Sequence, residues 1–306
     1  MPADKKCVSQ NSNEPSTNKK NNLKKSPAIS VIMPTFQGED VLHLMLDSLA
    51  KQTFYDFEVI VVIDGSTDAS EVVINNYRSV FKKLIIIKQE NLGILKARMI
   101  GVMNANGEYL YFVDHDDTLD NRCLEKLYQK AVVENADLVH CGFTETVNNV
   151  TKCSKGKINY DFFNLNTFAL WSKLIKHDYF LSVIDPHKTP HVSYFDDSIS
   201  LLLGIFTDKI SLIEECLYHH HLSNRSLSVR FTPMFESDFK EVFNYLQLYL
   251  NEKRIFEIYR IPFTIYFFMV KKSVDEYGNT ELKQTFHEFE EEVIEKQNNW
   301  LTGKLL

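Results

Sequence analysis

The stretch Tyr109-Leu110-Tyr111-Phe112-Val113-Asp114-His115-Asp116-Asp117 decides how this chain is read. Its apolar run has the length and composition of a buried strand, and it breaks off into three carboxylates within four positions. So much negative charge at one strand tip is costly to bury unless a cation or a basic ligand neutralises it. A hard divalent ion held by one or two carboxylates, with phosphate oxygens and water completing its shell, would do so. The stretch therefore implies a strand end that handles a metal-bound phosphate ester.

On both sides of it strands and helices alternate. Ile29 to Met33, Glu58 to Ile63, Leu84 to Lys88, Glu108 to Val113 and Leu138 to Phe143 read as strands. Asp40 to Gln52, Ala69 to Phe81, Gly93 to Asn104 and Asn121 to Glu134 read as the helices between them. Near-continuous Val, Ile and Leu in the strands predicts a Rossmann-like α/β fold, a mostly parallel sheet with helices on both faces. Ligands of such sheets sit at the carboxyl ends of the strands, which is where the polar residues gather here.

Beyond Thr144 the alternation stops. Residues 145 to 165 read as an excursion or short hairpin, Asp197 to Phe206 as an apolar helix and Ile210 to Tyr218 as a strand. From Phe235 to about Asn298 the period is helical, with Phe239, Val242, Phe243, Leu246, Tyr249 and Leu250 on one stripe. The expected division is a disordered tail over 1–27, a catalytic domain over 28–230 and a helical segment over 231–306. The catalytic domain splits into a nucleotide half (28–145) and an acceptor half (146–230). The tail has almost no large apolar side chain to offset the entropy of ordering it. Its Lys5, Lys6, Lys19, Lys20, Lys24 and Lys25 read as solvated, the competing reading being attraction to an anionic membrane surface at ~1 kcal/mol each. Ile261 to Val270 reads as a buried helix or an interfacial one, and the C-terminal helices offer a surface for a homo-oligomer.

Over 306 residues, 44% are hydrophobic and 25% charged, which is ordinary globular composition. A net charge of -7 argues against a nucleic-acid partner. The five cysteines, Cys7, Cys123, Cys141, Cys153 and Cys216, contain no Cys-x-x-Cys pair. With no signal peptide in evidence they read as reduced thiols of a cytoplasmic protein, without a zinc site.

The strand ends carry the chemistry. Pro34-Thr35-Phe36-Gln37-Gly38 offers backbone groups and an aromatic ring that could lodge a nucleobase. Asp64, before Gly65-Ser66-Thr67-Asp68, either accepts a bond from a base imide or satisfies loop amides. Lys96 and Arg98 lie two apart on a helix and project about 200° from one another. Arg98 is the better match to phosphate, because its guanidinium presents a planar fork; the alternative is a solvated surface charge.

The succession Ser30-Val31-Ile32-Met33-Pro34-Thr35-Phe36, Ser48-Leu49-Ala50-Lys51-Gln52-Thr53, Asp64-Gly65-Ser66-Thr67-Asp68, Asn91-Leu92-Gly93, Ala97-Arg98, Gly107-Glu108-Tyr109 and Asp114-His115-Asp116-Asp117 resembles the family 2 glycosyltransferases of the GT-A fold. The likeness covers roughly residues 28 to 145, with weaker echoes to about 230. It implies an inverting enzyme that moves a sugar from a nucleotide diphosphate, UDP by family preference, to a hydroxyl of a glycan, lipid-linked or polymer acceptor. By that likeness Thr35 and Asp64 hold the base, flanked by Pro34 and Phe36. Asp114, beside His115, takes the ribose or donor sugar, and Asp116 takes the Mn²⁺ or Mg²⁺, with Asp114 a second candidate ligand; Asp117 supports them. Departures are Ile63 for a usual Asp, Gln37 for a common Asn and Met99 for an Asn.

Inversion needs a general base facing the acceptor hydroxyl. Tyr194-Phe195-Asp196-Asp197 is similar to the family's Glu-Asp motif, which makes Asp197 the expected base and Asp196 its partner; alone, the pair reads equally as a helix cap. Tyr218-His219-His220-His221 and Arg225 fall where the family covers the diphosphate, with His220 and Arg225 as candidates. Consecutive histidines on a strand alternate faces, so the three cannot share one metal. Trp171 and Lys173 either shape an acceptor pocket or belong to the core. Peripheral work at the inner membrane face is expected of such an enzyme.

Two other functions fit parts of the pattern. Asp114-His115-Asp116-Asp117-Thr118 satisfies the Asp-x-Asp-x-Thr signature of haloacid-dehalogenase-like phosphatases, with Asp114 as nucleophile. That signature normally follows the first strand of its domain, whereas here three strand–helix units precede it. A binding module without catalysis would keep the acidic strand tip and lack the base.

Overall fold

The structure, a computed structural model, describes residues 26–147, 150–155, 169–192, 197–221 and 233–254, together with 274, 283, 284, 286–288, 290 and 291. The tail over 1–25, the segment Ile261 to Val270, Asp196 and Arg225 lie outside the described residues.

Four strands run parallel in the order β3-β2-β1-β4: β1 (Ile29–Thr35), β2 (Phe57–Asp64), β3 (Leu84–Gln89) and β4 (Tyr109–Phe112). All of β1 and β4 is buried, as a strand covered on both faces requires. Side chains of β1 alternate between two cores. Val31 and Met33 pack with α1 (Leu42–Ala50), α2 (Ser70–Asn75) and α4 (Cys123–Glu134). Ile32 packs with α3 (Ile94–Met103), α5 (His177–Val183), α6 (Asp197–Ile205) and α7 (Pro233–Glu252). The stripe on α7 faces that second core, with Phe239, Val242, Phe243, Leu246 and Leu250 buried and Tyr249 partly so. Among the described residues no helix is long and apolar enough to cross a membrane.

The second half of the sheet is mixed. A short strand, β8 (Lys173–Lys176), inserts antiparallel between β4 and β6 (Leu138–Val147). The sheet continues through β9 (Ile210–His221), parallel to β6, and ends at β5 (Thr118–Leu119), antiparallel to β9. Of the segment 145 to 165, expected as an excursion or a short hairpin, the described part includes β7 (Val150–Ser154), paired antiparallel with β6. Beyond Cys141 the register of β9 on β6 slips, so that Gly142 faces Cys216 and Phe143 faces Tyr218. Such bulges bend and twist a strand, and here the end of β9 reaches β5, directly after the acidic stretch.

One expectation is corrected. Cys153 and Cys216 are not reduced thiols but form a disulfide across a sequence separation of 63, with Cα atoms 6.3 Å apart. The hairpin lays β7 near the slipped register of β9, a proximity that spacing along the chain does not reveal. Cys123 and Cys141 are free and buried.

Candidate active site

β1 leads through α1 to β2 on one side, while β4 joins β1 on the other. The crevice between the loops after β1 and β4 is thus the topological switch point, the usual ligand site of an open α/β sheet. Gly38 shows how closely the two loops meet: a Cβ placed there would lie 2.7 Å from Thr35 Oγ1 and 3.0 Å from His115 Cδ2. Pro34 and Thr35 end β1 in the core, whereas Phe36 is 47% exposed at the rim. Thr35 Oγ1 is buried and has no hydrogen-bond partner among the described residues.

The loop after β1 is fastened to the loop after β2. Gln37, at φ 51°, donates from its amide to Ser66 Oγ (3.0 Å), and its side-chain carbonyl accepts the Thr67 N–H (2.9 Å). The Gly38 N–H donates to Ser70 Oγ and the Glu39 N–H to Asp68 Oδ2, both at 3.0 Å. Asp64 is buried and accepts bonds from Gln89 Nε2 (2.7 Å), Leu92 N–H (2.8 Å) and Gly93 N–H (3.0 Å). Of its two expected roles, the loop-amide role is the one formed within the chain, and it anchors the N-terminus of α3.

The acidic loop is held from two elements. Arg98, 1% exposed on α3, donates to Asp114 Oδ1 at 2.5 Å, so its guanidinium is drawn inward and does not stand on the helix surface. Tyr218 on β9 donates its hydroxyl to Asp117 Oδ2 (2.6 Å) and accepts the Asp114 N–H (3.1 Å). The His221 N–H adds a bond to Asp117 Oδ1 at 2.8 Å. Asp117 is fully buried, and burial raises its carboxyl well above the ordinary range, Asp114 and Asp116 reinforcing the rise and the bonds from Tyr218 and His221 opposing it. Burial likewise raises Asp116, with His115 counteracting and Asp114 adding to the shift. No side chain among the described residues donates to the Asp116 carboxylate.

Carboxylates strained in this way fit a hard divalent cation, whose positive charge would reverse both shifts. The donor set is oxygen only, which suits Mg²⁺ or Mn²⁺. Among the described residues no three His, Cys, Asp or Glu side chains gather as a ready-made cage; a cation bound through Asp116 and Asp114 would need phosphate oxygens and water to complete its shell.

The histidines alternate as the strand period requires. His219 Nδ1 pairs with Thr144 Oγ1 and His221 Nε2 with Thr118 Oγ1, each at 2.9 Å, and burial lowers both below the ordinary histidine value. His220 turns the other way, 5.1 Å from the Trp171 ring and 3.9 Å from Glu145. Trp171 is 8% exposed and stacks on Tyr218, and Lys173 is buried with Nζ on the Ala169 carbonyl. Asp197 opens α6. The Val192 carbonyl accepts the Leu95 N–H at 3.4 Å, in the first turn of the helix that carries Arg98. Sequence reading did not single out Tyr218 and Gln37 as loop fasteners. An aromatic with a hydroxyl among strand histidines was the available signal for the first, and nothing local marks the second.

The sequence profile described as Glycosyl transferase family 2 matches residues 30–189. Glycosyltransferase GlyA of Streptococcus pneumoniae is 32% identical over 221 residues, 65% of this chain and 31% of that protein. The chain thus spans about a third of GlyA's length. In three dimensions it resembles TarS 1-349 of S. aureus, with a TM-score of 0.59, 23% identity and coverage of 72% of this chain and 65% of that one; TarS 1-349 has also been solved in complex with UDP and with UDP-GlcNAc. Mannosyltransferase PcManGT from Pyrobaculum calidifontis, solved with GDP-Man and Mn²⁺, follows 91% of this chain over 84% of its own, with a TM-score of 0.53 and 11% identity. In this chain the acidic loop follows the fourth strand, whereas in the phosphatase pattern it follows the first. The matched span runs from β1 through the acidic loop to the residues after α5, and on that ground the chain belongs to glycosyl transferase family 2.

Proposed function

We propose that this chain transfers a sugar from a nucleotide-diphosphate sugar to a hydroxyl of a glycan, lipid-linked or polymer acceptor, with inversion at the anomeric carbon. The observation that carries this reading is the crevice itself. A clamped acidic loop with two raised carboxyls faces a buried Thr35 hydroxyl, unpartnered among the described residues, across the contact at Gly38.

In this reading Thr35, Asp64, Pro34 and the exposed Phe36 ring receive the nucleoside. Asp64 can accept from the imide of uracil or of guanine, and structures of the same fold hold UDP in one case and GDP-Man in another. UDP is the preference, by family likeness. Asp114 and Asp116 hold Mn²⁺ or Mg²⁺, beside His115. Such an ion offsets the charge that develops on the leaving diphosphate. Arg98 fixes Asp114 and Asp117 backs the loop, while His220 and Arg225 are the candidates for covering the phosphates and Asp196, beside Asp197, forms the donor-side half of the carboxylate pair. Asp197 removes the acceptor proton as the hydroxyl oxygen attacks the anomeric carbon from the face opposite the diphosphate. The new glycosidic bond forms as the bond to the diphosphate oxygen breaks. Residues 28–145 serve the donor and 146–230 the acceptor; the work is done in the cytoplasm, at the inner membrane face where the acceptor is lipid-linked.

The test is nucleoside diphosphate release from a panel of nucleotide sugars with Mn²⁺ and acceptor. Saturation with the right donor stabilises the fold by ~2.7 kcal/mol at a hundredfold excess over Kd, and Asp197→Asn lowers turnover by about 10²–10⁴-fold while leaving donor affinity intact. A flat response to every donor overturns the reading. Wild-type turnover in Asp197→Asn moves the base elsewhere.

A further inference from the structure

Tyr218 lies behind the acidic loop, fully buried, in register with Phe143 on one neighbouring strand and Leu119 on the other. Its ring stacks on Trp171 at 4.7 Å and 14°, and Trp171 is in turn met edge-on by Phe143 at 5.0 Å and 78°. Trp171 is fixed by the turn that follows it. Ser172 sits at φ 64°, a left-handed conformation that non-glycine residues rarely adopt, and its carbonyl accepts the Cys141 N–H at 3.1 Å. The ring therefore occupies a rigid slot.

What the ring carries is a hydroxyl that acts twice. It donates to Asp117 Oδ2 at 2.6 Å and accepts the Asp114 N–H at 3.1 Å. These residues are the two ends of the turn, which is closed by a longer Asp117 N–H bond to the Asp114 carbonyl at 3.4 Å. One oxygen atom thus bridges the two ends, which Arg98 and the His221 N–H otherwise hold one at a time, and Asp116 between them takes no bond from any described side chain. Where Asp116 points then depends on the turn, and among the described side chains Tyr218 is the one that ties its two ends to each other. A phenylalanine would fill the slot equally well, so packing alone does not require tyrosine here.

We infer that Tyr218 is a positioning residue for the cation-binding loop, acting through Asp114 and Asp117 to pre-set Asp116; this rests on the reading of that loop as the cation and diphosphate site. The residue touches neither donor nor acceptor. Its contribution is to keep the turn closed before a ligand arrives, so its loss should weaken cation binding more than it slows the chemical step.

Tyr218→Phe tests this. Mn²⁺ binding to the full chain is read directly, by the paramagnetic resonance of free Mn²⁺ in the presence of UDP, with wild type and Asp116→Asn alongside. Tyr218→Phe is expected to weaken Mn²⁺ binding by about tenfold, the equivalent of ~1.4 kcal/mol, and to raise the Mn²⁺ needed for half-maximal turnover by the same factor while kcat at saturating Mn²⁺ falls less than about threefold. A folded Tyr218→Phe that binds Mn²⁺ as wild type does overturns the inference. Should that variant not fold, Trp171→Leu keeps the hydroxyl and removes its rigid backing. Weakened Mn²⁺ binding by folded Trp171→Leu then supports the inference, and wild-type binding overturns it. The Asp116→Asn control separates the two levels. If it binds Mn²⁺ with UDP as wild type does, the site reading itself has failed; if it loses binding while Tyr218→Phe keeps it, only the role of Tyr218 has.

Discussion

The two ends of the parallel strands both bury carboxylates, and the two ends treat them in opposite ways. At the amino ends Glu58, fully buried, accepts bonds from Ser30 Oγ (2.6 Å) and the Asn106 N–H (2.7 Å) and pairs with Lys83. Burial alone would raise its carboxyl, but the Lys83 and Ser30 bonds and the Asn106 amide outweigh burial and hold it below the ordinary value. At the carboxyl ends Asp116 and Asp117 lie beside Asp114, and burial with mutual repulsion raises them. Among the described residues the sheet thus matches the charge of the Glu58 cluster with Lys83, whereas the three carboxylates at the other end are met by one ion pair, Arg98 on Asp114. The first end serves the fold; the second is the end to which the proposed function assigns the ligand.

The comparison is broken most directly at Asp116. Asp116→Asn should lower sugar transfer by about 10³-fold, the scale of losing one preorganised charge-stabilising group. The urea midpoint of the metal-free protein should stay level or rise, because the substitution relieves repulsion. Transfer assays and urea unfolding on the same preparation check both halves. A variant that is active, or one that is markedly less stable, would show that the two ends do not differ in kind.

Glu58 is the converse. Glu58→Ala strands the Ser30 hydroxyl and the Asn106 amide and should cost about 2–3 kcal/mol of stability, with kcat measured below the melting transition within about twofold of wild type. The pH dependences differ in sign. Because the folded carboxyl of Glu58 lies below its ordinary value of 4.5, its contribution is fully present above that value and is lost as pH falls through the lowered one. Asp116 and Asp117 sit above their ordinary value of 3.8, so in the metal-free protein they oppose folding at neutral pH. That penalty fades as pH falls through the raised values. Urea midpoints without metal should therefore rise on mild acidification and fall on stronger acidification. Mn²⁺ with UDP should flatten the rise and leave the fall, and Glu58→Gln should blunt the fall.

Sequence made the parallel half of the sheet readable because its evidence is local. Val59 to Ile63 is a buried strand whatever surrounds it, and Asp64 or Asp114 at the end of such a run marks where the strand gives way to a polar loop. The second half was harder. β8 offers only Leu174 and Ile175 between lysines, too little to show a period, yet it inserts antiparallel and makes the sheet mixed. α2, expected to run to Phe81, stops at Asn75, whose side chain turns back to the Glu71 carbonyl at 2.8 Å in the manner that makes asparagine a poor helix interior residue. Partners distant along the chain left no local trace. Tyr218 reaches residues 114 and 117, Cys216 reaches Cys153, and Gln37 reaches the loop of Thr67. Each is a product of the register slip in β9 or of strand adjacency, which exist only once the sheet is assembled.

The smallest predicted effect is the sharpest test of the ligand-facing end. Gly107 and Gly38 both sit where a Cβ would collide, but with different consequences. At Gly107 it would meet Ser30 N at 2.5 Å and Ser30 Oγ at 2.7 Å, inside the Glu58 cluster, so Gly107→Ala acts on the fold. At Gly38 it would meet Thr35 Oγ1 at 2.7 Å, His115 Cδ2 at 3.0 Å and Leu42 Cγ at 3.1 Å, with no backbone atom among the three. Side-chain ends can yield, so Gly38→Ala should fold with a stability loss of no more than about 1 kcal/mol, less than a forced core insertion commonly costs. What must yield is the Thr35 hydroxyl and the His115 ring, the two sides of the crevice. If those groups receive the nucleotide, displacing them by a few tenths of an ångström should raise the donor KM by about three- to tenfold, or ~0.7–1.4 kcal/mol, while kcat stays close to wild type, because uniform binding is lost and not transition-state stabilisation. Steady-state kinetics across donor concentrations separate the two constants. An unchanged KM would place the nucleotide away from the contact between the loops after β1 and β4, and the contrast between the two ends of the sheet would then rest on the carboxylates alone.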